Sequence, residues 1–325
     1  MLVTLDDIRA AATRIRGVAR RTPVLDVQMP RRGGPSGPPS SDPPALTLKC
    51  ENFQPSGAFK VRGACNMLAQ LPADARAAGV IAYSSGNHGQ AVALVARSLG
   101  IPAVIVMPET AARVKVDGVR HFGAKVIFAG TTSGDRKARA EEIAAARGLT
   151  IVPPFDHPWI IAGAGTVGLE VLEQCPHATT IFVPMGGGGQ ISGVSAAVKG
   201  MRASVRVVGV EPAGAARMSA SLAAQHPVTL ERSSSIADGL LTLRPGDLTF
   251  AHVRAFVDEV VVIDDDEIIS AMRTLMRRAR ILPEPAAAAA TAALLDGLVM
   301  VQPGEHVVTV VSGGNADPDL LRSLL

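Results

Sequence analysis

The chain has 325 residues, of which 47% are hydrophobic and 19% charged, enough to bury a sizeable core and to exclude disorder as its main state. Net charge is only +3, and arginine is dispersed instead of clustered, which argues against a nucleic-acid partner. Acidic residues stand where a signal peptide would be basic, no apolar run reaches a membrane span, and Cys50, Cys65 and Cys175 lack metal or redox spacing, so a reduced, cytoplasmic protein without a membrane partner is expected.

In chain order, the pattern predicts a helix over 5–18, then a stretch at 31–44 too dense in Pro, Gly and Ser for a regular element and read as a surface loop. From 79 onward strands and helices alternate: strand 80–83, helix 90–99, strand 103–107, a helix through 119, strand 125–128, helix 135–147 and strand 150–152. Next come strand 180–183, a glycine loop, a helix through 201 and strand 205–210, and the chain closes with helices 267–280 and 285–298 and strand 306–311. Apolar runs alternating with amphipathic helices mean an α/β protein with parallel sheets covered on both faces. Two parallel-sheet α/β domains are expected, a small one over 79–152 bracketed by a large one made of 1–78 and 153–325. Ligands of such sheets sit at the carboxyl ends of strands.

Four segments fall at those ends. Gly186, Gly187, Gly188 and Gly189 join a strand to a helix, where converging backbone N–H groups and the helix dipole suit a phosphate; without GxGxxG spacing or a P-loop lysine, no nucleotide is implied. The alternative is a tight turn that needs only flexibility. Lys60 stands among small and apolar residues in Ser-Gly-Ala-Phe-Lys-Val-Arg-Gly-Ala (56–64) at a helix start. Desolvation there favours the neutral amine, a nucleophile toward an aldehyde, and the neighbours weigh against the ordinary solvated surface lysine.

The turn Ser-Ser-Gly-Asn-His-Gly (84–89) gathers hydroxyls, an amide and N–H groups in one arc that suits a carboxylate and a phenolic oxygen, although Ser and Asn also serve as ordinary helix caps. His88 is read as a hydrogen-bonding residue and not as the catalytic base. Ser312, at the end of the last strand in Ser-Gly-Gly-Asn, either faces a ring nitrogen or closes a turn. The acidic run 264–267 is read as a helix N-terminus and not as a metal site.

Taken together and in this order, the four segments resemble the fold-type II pyridoxal-phosphate family of serine and threonine dehydratases and serine racemases, whose fold is that of the tryptophan synthase β chain. The resemblance runs from Thr22-Pro23-Val24 to Gly313-Gly314-Asn315. It implies pyridoxal 5'-phosphate as cofactor, carried by Lys60 as a Schiff base with Phe59 packed against the ring. It implies Gly186 to Gly189 on the phosphate, Asn87 on the phenolic oxygen and Ser312 on the pyridine nitrogen. Ser84, Ser85, Asn87 and His88 would surround the carboxylate of a small amino-acid substrate, with Arg136 and Lys115 near the entrance.

The activity implied is removal of the β-hydroxyl and amine of a hydroxy-amino acid such as L-threonine or L-serine, giving a 2-oxo acid and ammonia. Racemisation is the alternative, because Ser85 stands where racemases of the family keep their second proton donor. Another β-replacement reaction and a non-catalytic homologue rank lower, given the intact lysine and ligand segments. The resemblance also implies a homodimer and, since the chain leaves no room after 312 for a regulatory domain, no feedback inhibition by isoleucine. Phe155, in Pro-Pro-Phe-Asp-His-Pro, matches the dehydratases. Metal-activated members carry an acidic residue six positions after the glutamate matched by Glu211; here that position is Arg217, so no divalent metal, or only weak binding, is expected, with Arg217 paired to Glu211.

Overall fold

The computed structural model describes residues 1–28, 45–84, 86–111, 113–302 and 304–324; the proline-rich stretch 31–44 and Ser85 lie outside them. Ten strands are described: β1 (Val24–Val27), β2 (Ala45–Cys50), β3 (Val80–Tyr83), β4 (Ala103–Met107), β5 (Lys125–Phe128), β6 (Thr150–Ile151), β7 (Thr180–Pro184), β8 (Arg206–Pro212), β9 (Glu259–Ile263) and β10 (His306–Val311). They form a six-stranded sheet in the order β1-β2-β10-β7-β8-β9 and a four-stranded sheet in the order β5-β4-β3-β6. All pairings are parallel except that of β1, which runs antiparallel along the edge beside β2. The strands at the centre of the larger sheet, β7 and β10, are apolar runs buried on both faces, as a sheet covered by helices on each side requires.

Helix Pro158–Gln174 is the element that assembles the site. It packs against the Lys60–Leu68 helix on one side and the Gly189–Met201 helix on the other. Glycines allow both approaches: a Cβ at Gly163 would strike the backbone of Arg62 and Gly63, and one at Gly193 would strike that of Ile161 and Gly165. The same glycines hide the element from sequence reading, because a helix buried nearly all round and rich in Gly shows no amphipathic period. The Pro285–Leu295 helix, almost all alanine and buried, lies against β10, β7 and β8 and places Glu284 at its own N-terminus.

Several boundaries differ from expectation for local reasons. The first helix stops at Arg14, and residues 15–18 turn through Gly17 at φ 83°. The helix expected from 90 starts at Asn87, so Asn87 and His88 occupy its first turn. The helix expected over 267–280 is α-helical over Asp265–Thr274 and π-helical over Leu275–Ala279 before Arg280 turns left-handed at φ 58°. Its start is as read: Asp264 and Glu267 form a capping box.

Candidate active site

Lys60 opens the Lys60–Leu68 helix, and the strand end at Ser312 holds the residues before it. Ala58 and Gly313 form an antiparallel bridge, Phe59 N–H donates to the Ser312 carbonyl at 3.0 Å, and Gly314 N–H donates to the Gly57 carbonyl at 2.8 Å. The Lys60 amine donates to the Pro154 carbonyl at 2.6 Å and lies 5.2 Å from the centre of the Phe59 ring. Burial lowers its pKa to about 8, against the pull of the Glu284 carboxylate, which favours the charged form. A useful fraction of the amine is therefore neutral near pH 7. Phe59, Lys60, His88, Pro154 and Gly189 line one cavity, so the amine and the start of the glycine-loop helix share a space.

The glycine loop follows β7 and enters the Gly189–Met201 helix through Gly188, whose φ of 98° no other residue adopts without strain. No side chain caps this helix. Its first N–H groups lack intrahelical partners and are available to an anion. A Cβ at Gly187 or Gly189 would run into Phe155, and the Thr249 hydroxyl donates to the Gly187 carbonyl at 2.7 Å, so the loop is pinned from two sides. An uncapped helix start, a cradle that side chains would fill and a buried amine in one cavity fit the phosphate and the aldehyde of pyridoxal phosphate. Phe155 against the loop agrees with its expected place near the cofactor.

The turn after β3 is built by its own groups. Ser84 N–H donates to the Val106 carbonyl at 3.0 Å, and the Ser84 hydroxyl accepts from Gly86 N–H at 3.1 Å. Asn87 donates to Glu284 Oε1 at 2.6 Å, while its Oδ1 accepts from Asn315 at 2.8 Å; one Asn87 N–H is left for a ligand. His88 Nε2 bonds the Val152 carbonyl at 2.9 Å. A carbonyl carries no proton, so Nε2 must, and Nδ1 is left with a lone pair. Burial, then the charge of Lys60, lowers the His88 pKa to about 3. The ring is neutral and has no donor to spare for a carboxylate, so the part of His88 suited to the substrate is its backbone N–H at the helix start.

Ser312 is buried beside Lys60's anchoring bridge. Arg136 donates to Ser133 Oγ at 2.8 Å and to the Thr131 carbonyl at 3.4 Å, in the first turn of a helix that packs against β3, the strand leading into the Ser84 turn. Lys115 lies beside Gly86 and pairs with Asp238, joining the smaller sheet's helix to the larger sheet's loop. Glu284 escaped sequence reading. Its pKa is raised to about 7 by burial and by the charge of Asp238, opposed chiefly by the Asn87 hydrogen bond. The available signal was a carboxylate set between two prolines directly before an all-apolar helix, where burial is unavoidable. Arg217 does not form the expected ion pair with Glu211: its guanidinium donates to backbone carbonyls, and Glu211 accepts from the N–H groups of Met218 and Ser219 at 3.0 and 2.7 Å. Two N–H groups at the start of the Arg217–Ala224 helix satisfy that carboxylate without a side-chain partner.

A buried network ties the Lys60 helix down. Arg62 bonds Glu51 at 2.7 and 2.8 Å and Glu170 at 2.7 and 2.8 Å, and Lys49 bonds Glu170 at 2.6 Å.

A buried lysine amine at a helix start, an uncapped glycine-loop helix opening on the same cavity and two largely parallel sheets are the arrangement of a fold-type II enzyme. The chain matches the family described as pyridoxal-phosphate dependent enzyme over residues 16–313 and belongs to it; its cofactor is pyridoxal 5'-phosphate. Within the family it is 39% identical to the L-threonine ammonia-lyase of Thermotoga maritima, over 100% of this chain and 78% of that protein. It is also 39% identical to the catabolic L-threonine dehydratase TdcB of Staphylococcus aureus, over 97% of this chain and 90% of that protein. Among solved structures, maize serine racemase superposes with a TM-score of 0.91 at 37% identity, over 99% of this chain and 97% of that one.

Proposed function

We propose that the chain removes the β-hydroxyl and the amine of a small hydroxy-amino acid, L-threonine or L-serine, to give a 2-oxo acid and ammonia. The observation that carries this is the buried amine of Lys60, lowered in pKa and facing the same cavity as the glycine-loop helix, in a chain alike over its whole length to two proteins named for that reaction. Pyridoxal phosphate, when bound, supplies an aldehyde that captures an amine and a conjugated ring that accepts the electrons of the Cα–H bond. The neutral amine of Lys60 would be the base that takes the Cα proton. Residues 186–189 would hold the phosphate by backbone N–H groups, the free Asn87 N–H would hold the phenolic oxygen, and the Ser312 hydroxyl would serve the ring nitrogen. A neutral hydroxyl such as that of Ser312 would not favour a protonated ring nitrogen, as a carboxylate would.

The substrate carboxylate is received by Ser84, by Ser85 and by the N–H groups at the start of the Asn87–Ser98 helix, with Arg136 a further partner. Residues 79–152 act as the smaller domain against 1–78 and 153–325. The reading includes a homodimeric, cytoplasmic enzyme with no nucleic-acid or membrane partner. Three free, buried thiols support a reducing compartment, and no helix among the described residues is long and apolar enough to cross a membrane.

Likeness to a serine racemase favours one second reading, inversion at Cα with Ser85 returning the proton on the opposite face. Incubating the holoenzyme with L-serine and L-threonine and measuring 2-oxo acid against D-enantiomer separates the two. Predominant 2-oxo acid is expected; D-serine without keto acid would replace lyase by racemase.

A further inference from the structure

The glycine loop is held from behind by a buried cation. Arg217 opens the Arg217–Ala224 helix and is fully buried. Its Nε donates to the Gly186 carbonyl at 3.0 Å, Nη2 donates to the carbonyls of Gly186 and Met185 at 2.6 Å each, and Nη1 donates to the Ala215 carbonyl. Burial lowers its pKa to about 10, and the nearby Glu211 carboxylate opposes that. Carbonyl oxygens converging beside a carboxylate are the hard-oxygen donors that a divalent cation takes. The guanidinium already sits on those oxygens, and position 217 contributes a positive charge where an acidic ligand would be needed. The residues present do not fit a metal ion.

We propose that the Arg217 guanidinium is a tethered cation that replaces a divalent metal ion in this chain and sets the orientation of the phosphate loop. The orientation follows from peptide geometry. In a planar trans peptide the C=O and the next N–H point in opposite directions. With the carbonyls of Met185 and Gly186 pinned toward Arg217, the N–H groups of Gly186 and Gly187 point away from it, outward to a bound anion. Arginine is required because one planar fork reaches three carbonyls at once, which a lysine ammonium at the end of a flexible stem does not. Arg217 is thus a positioning residue, and this half of the inference rests on the proposed role of residues 186–189 in holding the cofactor phosphate.

The test combines thermal unfolding of the holoenzyme in millimolar MgCl2, CaCl2, MnCl2 or EDTA with fluorescence titration of the apoenzyme by pyridoxal phosphate. The wild-type midpoint is expected to be the same in every buffer. Arg217→Gln is expected to weaken cofactor binding by about tenfold or more, the factor carried by one lost charge-assisted hydrogen bond, and Arg217→Lys by less. Arg217→Asp is expected to gain what the wild type lacks, a midpoint that rises with Mg2+ or Ca2+ and falls with EDTA; recovery of folded Arg217→Asp only in the presence of the cation counts as the same result. Stabilisation of the wild type by a divalent cation, or an Arg217→Asp protein indifferent to every cation, overturns the replacement. Unchanged cofactor affinity in Arg217→Gln, with the metal results as expected, overturns the phosphate reading of the loop instead.

Discussion

Lys60 donates to the carbonyl of Pro154 at 2.6 Å, joining the Lys60–Leu68 helix to the segment that follows β6 on its way out of the smaller sheet. Lys60, Pro154 and Gly189 line one cavity, and burial lowers the pKa of the amine to about 8. Only the neutral amine attacks an aldehyde. Capture of pyridoxal phosphate by the apoenzyme should therefore speed up about tenfold per pH unit below pH 8 and level off above it. Stopped-flow absorbance reads this directly, and a profile still rising beyond pH 10 would show an unperturbed lysine.

Glu284 sets that profile from the other side. Its charge favours the protonated amine, so Glu284→Gln should move the midpoint of the capture profile below pH 8. The carboxyl has its own stability consequence: with a folded pKa of about 7, above the ordinary carboxylate value, its contribution is complete at low pH and is lost as pH rises through 7. Thermal midpoints of the wild type and Glu284→Gln should lie close together near pH 5, and the variant should be the more stable at pH 8. A gap that narrows over this range would be inconsistent with a neutral, buried Glu284.

Gly188 turns the loop at φ 98°, and a Cβ there would also press on Thr249. Gly188→Ala should cost on the order of 1–3 kcal/mol of strain and weaken cofactor affinity, whereas Gly304→Ala, at φ 86° with open space around it, should be strained without touching the cofactor. Equal cofactor affinity in both variants would remove the loop from the site.

Arg62 has its charge balanced by Glu51 and Glu170, all within one buried cluster with Lys49. Removing one partner strands the others. Arg62→Met should lower stability by ~3–5 kcal/mol, a fall of roughly four to seven degrees in the unfolding midpoint, and loosen the helix that begins at Lys60. A change of only a degree or two would mean that water relieves the stranded carboxylates.

What could be read beforehand was whatever rests on neighbours in sequence. The strands 80–83, 103–107, 125–128 and 306–311 agree with β3, β4, β5 and β10 because each is a short apolar run closed by a turn. Lys60 at a helix start and the glycine loop between β7 and its helix are legible for the same reason, as local departures from ordinary composition. Helix Pro158–Gln174 was not, since its glycines answer to helices distant in the chain. The ring of His88 spent on Val152 and the Arg217 guanidinium on Met185 and Gly186 depend on long-range contacts that no local pattern encodes, and the same holds for the Asn87 partner of Glu284, though not for its burial. Arg136 is assigned by resemblance alone, and its bonds in the structure are to Ser133 and Thr131.

The central claim is tested most directly by trapping the cofactor on the protein. Six lysines are available in the chain, at 49, 60, 115, 125, 137 and 199. Reduction of the holoenzyme with borohydride, followed by proteolysis and mass spectrometry, should place a single pyridoxyl group on the peptide containing Lys60 and none in Lys60→Ala. A label on any other lysine, or a colourless wild type that gives no labelled peptide, would contradict the account.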